Sequence, residues 1–147
     1  MTGRSLYVGA ALLVGISAVV LGAYPIWILP IIVGVLIPNI DTIRERFHRS
    51  WLFHTFLAPT LAYKVVINPV IPWSGLLVEL VHFTALGMMI HFVFDYIYPQ
   101  RKQSSGSEWP IRPSLGSEPW GIMLLGIAWF VQWFLYLAPA FLPWLFS

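Results

Sequence analysis

Residues Trp73–Tyr98 read W-S-G-L-L-V-E-L-V-H-F-T-A-L-G-M-M-I-H-F-V-F-D-Y-I-Y. This is the longest apolar segment of the chain, and as a helix it exceeds the roughly 20 residues that cross ~30 Å of hydrocarbon. It also carries Glu79, His82, His91 and Asp95. Groups of that kind are costly to desolvate alone, so each calls for a partner or a function.

Four further apolar segments surround it. Residues 6–23 hold Gly9, Gly15 and Gly22, small enough to let another helix approach closely. Arg4 ahead of them gives the look of a secretory signal, but the run is longer than the usual h-region and ends in no A-x-A site, so it reads as a retained helix. Residues 26–38 are short and interrupted by Pro30 and Gly34, which predicts a kinked, tilted or partly inserted helix. Residues 51–67 and 120–137 complete the set, and 138–147 form an aromatic tail broken by Pro139 and Pro143. The expected fold class is an all-α integral membrane protein, a bundle of four to five transmembrane helices at 6–23, 26–38, 51–67, 73–98 and 120–137. It makes one domain over 1–147, with cytoplasmic loops at 39–50 and 99–119.

Composition supports that class. The chain is 59% hydrophobic and 10% charged, against roughly 45–50% apolar residues in a soluble globule. Its eight Trp, ten Phe and six Tyr suit aromatic belts at two membrane interfaces. A net charge of +2 is too small for a nucleic-acid footprint, so no nucleic-acid partner is expected. The absence of cysteine excludes disulfides, thiolate nucleophiles and Cys-ligated zinc or iron–sulfur sites. Five spans place the N-terminus and both polar loops on one side, together with seven of the eight Lys and Arg residues; the positive-inside rule makes that side the cytoplasm.

The same side receives a cluster of groups able to bind a metal. His91 and Asp95 form an H-x3-D pair, and an i,i+4 spacing puts both on one helix face. In the charged stretch between the second and third segments stand Asp41 and His48, with His54 expected from the first turn of the following helix. Imidazole with carboxylate suits a divalent metal, Zn foremost, with Mn or Fe as alternatives, better than Mg or Ca. Asp41, His48, His54, His91 and Asp95 are therefore the candidate ligands, and Asp41 or Asp95 the candidate general base. Arg49 offers a forked donor for phosphate or carboxylate. Glu79 and His82, deeper or toward the opposite side, read as a second polar pair binding helices together. Trp109 and Trp120 suggest that 99–119 folds over the cluster as a lid, against the plainer reading of a flexible linker.

These motifs resemble a known family. P-N-I-D at 38–41, H-R-S-W-L-F-H-T at 48–55 followed by Pro59, and G-M-M-I-H-F-V-F-D at 87–95 followed by Pro99 are similar to the YdjM-like family of membrane-bound metal-dependent hydrolases. That family has a P-D-x-D loop, an H-R-x…H-S segment and a G-x3-H-x3-D helix in this order, and the resemblance covers about residues 30–110. It implies a small helical protein of a bacterial or archaeal plasma membrane, with a polynuclear metal site like those of zinc-dependent phospholipases C and nucleases. By matching position, Asp41, His48, His54, His91 and Asp95 would be its ligands and Arg49 a partner of substrate or of a neighbouring carboxylate. Three positions depart from the pattern. Asn39 stands where the first Asp is expected, no His lies near the N-terminus, and Thr55 replaces Ser. The first two allow a site with fewer metals, or none.

The expected activity is metal-assisted hydrolysis of a phosphoester, lipid or otherwise amphiphilic, at the cytoplasmic membrane surface. The competing class is a non-catalytic small membrane subunit or scaffold of a larger complex or homo-oligomer. In that class the histidines are structural, or His82 or His91 faces out of an apolar helix to ligate a haem or pigment. A transporter has less support, since no paired broken helices occur.

Overall fold

The computed structural model describes residues 3–38, 55–97 and 118–147. All regular structure among them is helical, so the all-α class stands. The helices are α1 (Gly3–Val20), α2 (Ile28–Leu36) after a 3-10 turn at Pro25–Trp27, α3 (Leu57–Val66), α4 (Ser74–Ile97), α5 (Glu118–Gln132) and, beyond a π-helical stretch at Trp133–Phe141, α6 (Leu142–Leu145). Two stretches among the described residues, Ser74–Phe94 and Gly126–Leu145, are long and apolar enough to cross a membrane.

The chain leaves α1 through a Schellman motif. Gly22 N–H donates to the Val19 carbonyl and Ala23 N–H to that of Ala18, with Gly22 at φ +109°. Only glycine adopts that conformation freely, so Gly22→Ala is expected to cost about 1–2 kcal/mol in a thermal or denaturant melt, with helix content unchanged. Gly9 faces nothing within 4 Å and Gly15 only the Ile28 side chain, so the closest helix approach lies elsewhere.

That approach is the crossing of α2 and α4, the principal packing of the fold. Gly34 lies against the Thr84 carbonyl and Gly87 against that of Ile31, so each glycine receives the backbone of the facing helix. Gly34 therefore does not interrupt the second segment but docks it, correcting the sequence reading. Pro30 is tolerated because it sits in the first turn of α2, where an N–H would have no intrahelical acceptor. Ile31, Val35, Ala85 and Met88 are fully buried around the crossing.

The C-terminal region also differs from expectation. Residues 138–147 are no tail: helical structure continues from Glu118 to Leu145, burying Tyr136, Leu137 and Phe141. Pro139 lies inside the π-helical stretch, where the wider turn accommodates a residue that cannot donate to an α-type ladder. Large rings join this region to α4: Trp144 meets Phe83 edge-on at 5.0 Å, and His82 stacks on both Trp144 and Tyr136.

Candidate functional site

His91 projects from α4 toward α2 and α1 and is 2% exposed. Its Nδ1 lies 3.0 Å from the carbonyl oxygen of Val35, in the last turn of α2, where carbonyls have no intrahelical donors. A carbonyl can only accept, so Nδ1 carries the proton and, in the neutral ring, Nε2 carries the lone pair. The Tyr7 ring of α1 lies over the imidazole, centroids 4.6 Å apart, and fixes the ring from a second side. Metal-ligating histidines commonly carry such a hydrogen bond on the nitrogen that does not ligate.

The chain enters and leaves residues 39–54 around this part of α4. Pro38, the last described residue before them, is fully buried, as is Thr55, the first after them. Val35 touches His91, and the Phe56 ring meets Phe92 edge-on at 5.3 Å. Thr55 Oγ1 accepts from Leu57 N–H at 3.3 Å, turning the chain into α3, and a serine would do the same.

Asp41, His48, Arg49 and His54 lie outside the described residues, as do Trp109 and the loop read as a lid. Asp95 is on α4 one turn beyond His91, with its side chain outside the description. His91 is thus the candidate ligand whose side chain is described, and among the described residues no group of three or more His, Asp or Glu comes together. α3 begins at Leu57.

Farther along α4, Glu79 and His82 do bind helices together. His82 Nδ1 and the Tyr136 hydroxyl share a hydrogen bond of 3.0 Å, and Trp144 Nε1 donates to Glu79 Oε2 at 3.1 Å. Trp144 belongs to the stretch read from sequence as a broken tail and Tyr136 to the last expected span, and the sequence alone does not say which helix meets which. Neither His82 nor His91 faces out of its helix, so an outward imidazole for a haem or pigment is not present at either position. Tyr136→Phe would leave His82 Nδ1 buried and unmatched, an expected loss of about 1–3 kcal/mol measured by equilibrium unfolding. One turn before Tyr136, Gln132 is fully buried with neither amide atom hydrogen-bonded.

No family model, curated protein or solved structure matches the chain.

Proposed function

We propose that the protein is an integral membrane protein of four to five spans whose His91 end holds a divalent metal, Zn or else Mn or Fe, and hydrolyses a phosphoester at the cytoplasmic face. The observation that carries this reading is the Val35 carbonyl on His91 Nδ1, which fixes the tautomer and the orientation of the ring, the support that metal-ligating histidines ordinarily have. The donor chemistry fits: this imidazole is already oriented, and Asp95 follows one helical turn later. Asp41, His48 and His54 would complete the set, tethered by the anchors at Pro38 and Thr55.

A cation held there supplies Lewis-acid chemistry, making a water more acidic and polarising the phosphoryl oxygen. Asp41 or Asp95 would take the proton of the attacking water as its oxygen bonds to phosphorus and the ester P–O bond breaks, and would return that proton to the departing alcohol. Arg49 holds the phosphoryl oxygens by its fork. Tyr7 and Val35 keep His91 oriented and shield it from bulk water.

The membrane setting rests on what the protein leaves uncovered. Leu13, Val20, Phe130 and Phe134 are each at least 60% exposed, and less than half of either long apolar stretch is buried within the protein. A core helix of a soluble protein would be mostly buried, whereas lipid covers such faces without cost. One observation favours the alternative of a non-catalytic subunit or scaffold: Glu79 and His82 are both engaged in holding helices together.

The test is hydrolysis of phospholipid and of a small phosphodiester in mixed micelles, with the purified protein chelated and then resupplied with Zn, Mn or Fe. Turnover that returns with one of these metals is expected. No turnover with any of them turns the reading to the scaffold.

A further inference from the structure

The most exposed large apolar side chains among the described residues gather at one end of the bundle. Val20, Leu21, Tyr24, Val70, Trp73 and Phe146 are each at least 75% exposed, and the next, Leu13, is 68%. They come from three separate parts of the chain that α4 brings to one level: Trp27 stacks on Phe83, Tyr63 meets His82, and Trp144 touches both of these α4 rings. His91 lies toward the other end of the same helix.

The turns at this end are built to do without water. From Ile67 to Pro72 every residue is a proline or donates its backbone N–H within the turn, Val70 to Asn68 Oδ1 at 3.1 Å and Ile71 to the Asn68 carbonyl at 3.0 Å. The Gly22 and Ala23 bonds that close α1 serve the other turn in the same way. Backbone that leaves water has to satisfy its donors internally. Trp73 then takes a φ of 66°, a left-handed conformation that strains a bulky residue. The side chain kept there against that strain is one that prefers the membrane interface.

We infer that this end of the bundle is a lipid-binding surface, sunk into the leaflet opposite His91 instead of projecting into water. At 1.5 Å per residue the 18 residues of α1 reach about 27 Å, short of the ~30 Å of hydrocarbon. Arg4, in the first turn of α1 and one turn before Tyr7, keeps its charge among the headgroups on the His91 side. Leu21 and Tyr24 therefore end within the far leaflet. α3 closes at Val66, one turn past the contact of Tyr63 with His82, and leaves Val70 and Trp73 at the same depth. Acyl chains cover Leu21 and Val70, and the rings of Tyr24 and Trp73 lie at the headgroup boundary. The inference takes the bilayer setting from the proposed function and nothing from the metal.

The chain contains no cysteine, so Leu21→Cys, Val70→Cys and, as reference, Leu13→Cys each carry a single nitroxide label. All three side chains are largely exposed, so their replacement leaves the packing intact. The full chain in phosphatidylcholine liposomes is measured by electron paramagnetic resonance, with oxygen as the apolar relaxing agent and a nickel chelate, present on both sides of the bilayer, as the water-soluble one. Oxygen is expected to exceed the nickel chelate several-fold at Leu21 and Val70, as at Leu13. Nickel above oxygen at Leu21 or Val70, with Leu13 in lipid, would overturn the inference and leave the membrane reading standing; nickel above oxygen at all three would overturn both. Protection from both agents, or spin–spin broadening that reports a second copy against this end, would overturn the inference as well.

Discussion

Gly87→Ala is expected to destabilise the protein by about 3 kcal/mol, at the upper end of what overpacking costs, and Gly34→Ala to do nearly the same. An added Cβ at Gly87 runs into the Ile31 carbonyl, and one at Gly34 into that of Thr84. Both obstacles are helix backbone, so no rotamer change relieves them and α2 must move off α4. The sign is diagnostic, because Gly→Ala inside a helix otherwise gains up to about 1 kcal/mol. Gly9→Ala in α1, with nothing within 4 Å, supplies that comparison and is expected to be neutral or stabilising. The same displacement carries the Val35 carbonyl away from His91, so the glycine variants that still fold should also lose metal. Thermal melts of the three variants in one detergent check the order. A Gly87→Ala protein as stable as Gly9→Ala would show that α2 and α4 do not cross at these glycines.

His91→Ala is expected to lower phosphoester turnover by at least the ~10–100-fold that loss of an outer-shell partner costs a metal site, since His91 would be a ligand of the metal itself. The structural cost is separable. The imidazole is buried under Tyr7 and beside Val35, so its removal also opens a cavity and lowers the melting temperature. Added imidazole distinguishes the two effects, since a small ligand that restores part of the turnover without restoring the melting temperature acts at the metal and not on the packing. A variant that keeps wild-type turnover would remove His91 from the site.

The all-helical class was legible because the apolar runs are long and lack the strict alternation of half-buried strands. What could not be read was which helix meets which. His91 and Val35 are 56 residues apart, and the acceptor is a backbone carbonyl that any residue would supply. His82 and Tyr136 are 54 apart, and the helix that presents Tyr136 was legible while its docking against α4 was not. Gly34 looked like an interruption because a glycine that breaks a helix and one that admits a neighbour are the same residue; only the partner backbone tells them apart. The H-x3-D spacing of His91 and Asp95 was visible, since the helix period alone sets it. The hydrogen bond between Nδ1 and the Val35 carbonyl was not, since it depends on how α2 docks against α4.

Elemental analysis of detergent-purified protein, prepared without chelators and with metal supplied, tests the metal site most directly when the wild type is measured beside His91→Ala and Asp95→Ala. About one or more equivalents of Zn, Mn or Fe in the wild type, absent from both variants, is the expected result. A wild type that binds no metal under these conditions, or an His91→Ala protein that keeps it, would contradict the assignment of His91 as a ligand.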